Sequence, residues 1–154
     1  MVKKYWLVKS EPGAYSIDDL VKDKKTHWDG VRNYQARNFM RDDMKKGDQV
    51  LFYHSNAEPT AVVGVCEVIK EGYPDFTAFD PENKHYDPKS KKDNPAWIMV
   101  DIKLIKKFKR AVTLQEIKEN VKLQDMRLVQ RGNRLSVMPI EEKEFKEILR
   151  LSER

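Results

Sequence analysis

Three short stretches of the chain gather side chains able to bind a ligand. Lys9-Ser10-Glu11-Pro12 sets an amine, a hydroxyl and a carboxylate ahead of a proline whose missing N–H ends a strand ladder, so these groups emerge at a strand end, where sites are often built. Trp28-Asp29-Gly30-Val31-Arg32-Asn33-Tyr34-Gln35-Ala36-Arg37 joins an indole, a turn glycine and a helix start, an end that favours anions. Phe52-Tyr53-His54-Ser55-Asn56 closes another strand. Each residue alone has a plainer reading. Trp28 could be a packed core residue, Arg37 and Arg41 solvated charges, Glu11 a salt-bridge partner and His54 a satisfied, half-buried imidazole. Taken together they describe a pocket.

The sequence also excludes chemistry. Only six glycines occur and none forms a phosphate-cradling loop, which argues against nucleoside triphosphate turnover. His27, His54 and His85 lie far apart with no metal-ligand spacing, so neither a metal nor another cofactor is expected. Cys66 is the one cysteine and sits in the apolar run from Ala61, where a small buried hydrophobe fits better than a nucleophile. The formal charge of +5 favours an anionic partner. Residues 83–110 alone carry nine basic side chains against three acidic ones, a surplus of six. That segment reads equally well as a lysine-decorated edge strand or as a phosphate-binding surface. Arg127, Arg131 and Arg134 add a smaller cluster.

Elements that would hold these residues follow from periodicity. Apolar and β-branched runs predict strands at Tyr5–Val8, Gln49–Ser55, Ala61–Ile69 and, by the period-2 spacing of Ile98, Val100, Ile102 and Leu104, around residue 100, with a short fifth at Arg134–Met138. Ser16 with Asp19, and Thr113 with Glu116, are capping boxes that open helices; Leu114, Ile117 and Val121 share one helical face, as do Phe145, Ile148 and Leu149. Between Asn33 and Met44, Ala36, Met40 and Met44 make an apolar stripe with Asn33, Arg37 and Arg41 on a neighbouring face. Residues 72–94 have little periodicity but many aromatics and prolines, and read as an ordered, functional loop. With 154 residues, 40% of them hydrophobic, the chain is expected to form one α+β domain, residues 1–154, built as a small curled barrel with flanking helices. No apolar run is long enough for a membrane span and no signal peptide is evident, so an intracellular protein with no membrane contact is expected.

At Tyr5–Pro12, Trp28–Asn38, Phe52–Asn56 and Arg134–Val137 the sequence closely resembles the EVE domain, and the resemblance runs over nearly the whole chain. It implies a PUA-like fold, akin to the YTH domains that hold a methylated adenine in RNA. It further implies a non-catalytic reader of modified bases, with modified cytosine in DNA the leading ligand and DNA preferred over RNA. By the related YTH pattern, Glu11 and Trp28 are the first pocket residues. Ser10, Asp29, Asn33, Tyr53, His54 and Ser55 follow as walls, and Tyr73, Phe76 or Tyr86 as a second aromatic. An ionised Glu11 or Asp29 accepts hydrogen bonds only, which suits the exocyclic amine of cytosine or adenine. Flanking phosphates would be met by Lys9, Arg32, Arg37, Arg41, Lys106, Lys107, Lys109 and Arg134, and no obligate protein partner is implied. The competing reading is a small amidohydrolase acting on a modified nucleoside, as ASCH-type relatives suggest, with Lys9 and Glu11 as its reactive pair.

Overall fold

The computed structural model describes residues 3–154. Met1 and Val2, included in the expected 1–154 unit, lie outside them. Among the described residues six strands and four α-helices alternate irregularly. They run β1 (Tyr5–Ser10), α1 (Ile17–Asp23), β2 (Lys25–His27), α2 (Tyr34–Asn38), β3 (Gln49–His54), β4 (Ala61–Pro74), β5 (Ile98–Thr113), α3 (Leu114–Glu119), β6 (Val137–Ile140) and α4 (Glu142–Ser152). A single sheet takes the order β2-β5-β4-β3-β1-β6. β1 runs parallel to β3, and every other neighbouring pair is antiparallel. The α+β class stands, but the expected closed barrel does not, because the strand order is linear and leaves β2 and β6 as edges. Curvature enters instead through register shifts between β4 and β5 at Val62/Gly64, Val65/Cys66, Val68/Lys70 and Lys70/Tyr73.

The two capping boxes form as the spacing predicts. Ser16 accepts from the Asp19 N–H and Thr113 from the Glu116 N–H, each acidic side chain reaching back to its cap. The Ala36, Met40 and Met44 stripe is fully buried, although α2 passes at Phe39 into a wide π-turn that ends at Asp43. Val121 leaves the predicted helical face: α3 stops at Glu119, and Val121 opens a separate 3-10 turn, 83% exposed. β5 extends nine residues past Leu104 because its lysines can face water while Phe108 and Val112 keep facing the core. The last strand begins at Val137 rather than Arg134, since Lys9 and the Ser136 carbonyl close the β1–β6 ladder there. Cys66 is fully buried, and burial pushes its thiol up to about 12. Leu7, Val50, Leu51, Ile102, Met138 and Ile148 are all fully buried in one core, each worth about 1.5–3 kcal/mol for burial.

Among the described residues no helix is long and apolar enough to cross a membrane, and no cluster of three His, Cys, Asp or Glu could hold a metal ion.

Candidate functional site

A cleft of about 680 Å³ opens where β1 and β2 end. Lys9, Ser10 and Glu11 form one wall, Tyr15 lies beyond the β1 turn, and His27 to Val31 form the floor. The opposite wall is Glu82 to His85, from the long loop between β4 and β5 that the sequence marks as ordered and functional.

Local chemistry explains each wall. The β1 chain turns after Glu11, whose carbonyl accepts from the Ala14 and Tyr15 N–H groups, and Ser10 Oγ donates to the Tyr15 carbonyl at 2.7 Å. Glu11 itself is exposed, and its Oε1 accepts from Asn56 Nδ2 at 2.7 Å. Trp28 donates its N–H to the Val100 carbonyl at 2.7 Å, extending the β2–β5 pairing by one residue. The residue is only 8% exposed, and its ring stands edge-on to Phe52, with centroids 5.4 Å apart and planes at 83°. Trp28 is thus both a core residue and part of the cleft lining. Gly30 is required there: its φ is +80°, and a Cβ would stand 2.5 Å from His85 Nε2.

Arg32 holds the far wall. Nε and Nη2 donate to the His85 carbonyl, Nη2 also to Thr77 Oγ1, and Nη1 to the Val31 carbonyl and Asp75 Oδ2. All five guanidinium N–H groups are thereby engaged. Asp75 is fully buried and accepts in addition from Gly30 N–H at 2.8 Å and from the Thr77 N–H. Burial works to raise its carboxyl, but Thr77, Gly30 and Arg32 outweigh that and hold it below the usual range. A buried charge is stable here because it is paired and fully hydrogen-bonded.

The structure brings Lys9, Ser10, Glu11, Trp28 and Asp29 together in the cleft and leaves other expected pocket residues out of the lining. Asn33 caps α2, its Oδ1 accepting from the Ala36 N–H at 2.9 Å. Tyr53 is buried opposite Lys9 in the parallel ladder, with the Lys9 ammonium 5.9 Å from its ring centre. His54 Nε2 accepts from the Ile17 N–H at 3.0 Å, and burial lowers its pKa, so it remains a neutral acceptor. Ser55 donates its N–H to the Ser10 carbonyl. These four brace the site from behind. None of Tyr73, Phe76 and Tyr86 lines the cleft. The tyrosine that does line the cleft is Tyr15, whose hydroxyl donates to Asp23 at 2.8 Å and is pushed up to about 12, first by burial and then by that bond. Tyr15, His27 and His85 escaped sequence reading because none sits in a periodic run: Tyr15 lies three residues past a proline, His27 ends a three-residue strand and His85 lies in an aperiodic loop.

The basic residues divide similarly. Lys9 is half-buried in the cleft rather than on a rim, and desolvation lowers its pKa. Arg32 is spent on the loop clamp. Arg37 donates to the Ala96 carbonyl at 2.6 Å and lies over Tyr34, while Arg41 pairs with Asp42. Lys106 pairs with Glu153 and Lys107 with Asp18. Lys109 and Arg134 are exposed and make no ion pair among the described residues. The same holds for Lys84, Lys89, Lys91 and Lys92, of which Lys84 lines the cleft.

Fold and cleft together define an α+β domain with a cleft assembled at strand ends from an indole, carboxylates and lysines. The EVE domain model matches residues 4–151, and the chain belongs to the EVE domain family. It is 42% identical to human thymocyte nuclear protein 1, over 99% of this chain and 76% of that protein. A crystal structure of human THYN1 protein in complex with 5-methylcytosine-containing DNA is 43% identical, covers 99% of both chains and superposes with a TM-score of 0.91. A hypothetical protein from Leishmania major is 48% identical over 99% of this chain and 96% of that one, with a TM-score of 0.94. An ASCH protein from Zymomonas mobilis, 13% identical over 97% of this chain and 99% of that one, with a TM-score of 0.56, shares the fold alone.

Proposed function

We propose that this chain is a non-catalytic reader of a modified base in DNA, modified cytosine above others, with the base held in the cleft between β1, the Trp28 floor and the 82–85 loop. One observation carries the reading: Glu11, just after β1, and the adjacent Trp28 and Asp29, just after β2, meet in a single cleft of about 680 Å³, within the range of small-ligand sites. The human relative solved with 5-methylcytosine DNA supports the choice of ligand. A base cannot be enclosed while stacked in a duplex, so the reader extrudes it at a cost of a few kcal/mol, offset by stacking and edge hydrogen bonds. Trp28 with Tyr15 supplies the aromatic surface. Glu11 and Asp29 accept from the exocyclic amine of cytosine, and the lysines of the 84–92 loop meet phosphates. The working unit is the whole chain, residues 1–154, with DNA rather than RNA as its partner.

Titration with matched oligonucleotides bearing 5-methylcytosine, 5-hydroxymethylcytosine, N6-methyladenine or no modification tests this. Preference for a modified cytosine is expected, and equal binding to all four defeats it. The amidohydrolase reading is favoured by one feature, the desolvated Lys9 amine beside Glu11 in the same cleft. Conversion of a modified nucleoside to product would establish it.

A further inference from the structure

Phe76 is 52% exposed, yet the turn that carries it is fixed. The 3-10 turn Phe76–Phe79 is capped by Asp75, whose Oδ1 accepts from the Thr77 N–H at 2.9 Å. The other oxygen of that carboxylate accepts from the Gly30 N–H at 2.8 Å, and Gly30 lines the cleft. One buried group therefore fixes both the cleft floor and the turn bearing Phe76. A second contact leads to the same place. His27, exposed and also lining the cleft, meets Phe76 edge to face, with ring centroids 5.0 Å apart and planes at 64°. A rigid aromatic pair thus stands at the cleft rim with its outer surface in water.

A duplex that surrenders a base is left with a gap in its stack, and an apolar side chain inserted at that step recovers part of the lost stacking. We propose that Phe76, braced by His27, enters double-stranded DNA at the position vacated by the base held in the cleft. This rests on the reader function above. Phe76 then determines preference for a duplex over a single strand and leaves the identity of the base to the cleft. A single strand offers no gap, so Phe76 adds nothing to its binding.

The test compares the unsubstituted protein with Phe76→Ala and Phe76→Trp on a 5-methylcytosine oligonucleotide, single-stranded and annealed to its complement, beside the unmethylated pair. Phe76→Ala should bind the methylated duplex about tenfold more weakly, as the loss of one stacking aromatic predicts, and bind the methylated single strand unchanged. Phe76→Trp should restore duplex binding. Because the ring is exposed, the thermal midpoint of Phe76→Ala should stay where it is, which separates insertion from folding. Equal change on duplex and single strand, or no change on either, overturns the wedge and leaves the reader function standing. Unsubstituted protein that binds methylated and unmethylated strands alike defeats the reader function itself, and the wedge with it.

Discussion

The Arg32 guanidinium meets the Asp75 carboxylate at 3.0 Å, tying the loop after β2 to the turn after β4. Neither residue needs to touch a ligand to control the cleft. Arg32 also carries the His85 carbonyl, and Asp75 the Gly30 N–H, so the pair sets the distance between cleft floor and far wall.

Arg32→Ala should destabilise the fold by about 3 kcal/mol, because it strands a buried carboxylate that has lost its cation. Oligonucleotide affinity should fall further than stability alone explains, since the 82–85 wall loses its tether. Urea midpoints and binding isotherms of the same variant separate the two effects, and a variant with normal stability would contradict the clamp.

Trp28 is core as well as lining, so Trp28→Ala should cost about 3–5 kcal/mol of stability, the usual range for a buried tryptophan. Trp28→Phe fills more of the space and should stay folded while losing discrimination for the modified base. Paired urea and binding measurements on both variants check this.

Glu11→Gln tests the acceptor role. The amide oxygen can keep the bond from Asn56, which turns the NH2 toward any amine edge in the cleft. Affinity for the modified strand should drop by about 1–3 kcal/mol, with binding to the unmodified strand little altered. Isothermal titration with both strands reads the difference.

Phosphate contacts should show in the salt dependence of binding, with log K falling by about 0.9 per contact against log salt on duplex DNA. Replacing Lys84, Lys89, Lys91 and Lys92 with Ala should flatten that slope more than replacing Lys106, Lys107 and Lys109. Two of the latter three already face carboxylates. The reverse order would move the phosphate track to β5.

Acid should weaken the fold partly through Glu147. Its hydrogen bonds from Arg150 lead, ahead of the opposing effect of burial, and hold its carboxyl at about 2. A folded value below the ordinary carboxyl value of about 4.3 means a contribution present above that pH and lost as pH falls toward 2. Urea midpoints of Glu147→Gln should therefore lie below those of the unsubstituted protein at pH 7, with the gap closing by pH 2.

Much of this architecture is written in local pattern. The capping boxes at Ser16 and Thr113 and the buried Ala36-Met40-Met44 stripe follow from spacing alone, and the apolar runs from Tyr5 and Gln49 locate β1 and β3, whose ends fall at Ser10 and His54. β2 does not, because three residues with only intermediate or exposed side chains carry no apolar period; its pairing with Lys103, Ile102 and Asp101 is tertiary. The cleft was half legible for the same reason. Lys9, Ser10, Glu11, Trp28 and Asp29 sit in motifs dense with functional types, whereas His85 is held at the site by Arg32, which grips its carbonyl from across the fold. Sequence also cannot tell whether a charge is spent: Arg32 and Lys109 read alike until their partners are seen.

The parallel β1–β3 pairing, with β6 on the other side of β1, bears on how the chain folds. Tyr5 donates to Glu142, 137 positions further on, and Leu7 pairs with Met138. Strand β1, which presents Lys9 to Glu11, cannot be flanked on both sides until the C-terminal strand arrives, so its closure carries the entropy of a loop nearly as long as the chain. The β4–β5 ribbon is more local and has no such wait. Nascent chains should hold that ribbon early and acquire a ligand-competent cleft only at the end, making the binding site the last part of the molecule to mature and the first to be lost when β6 is cut away.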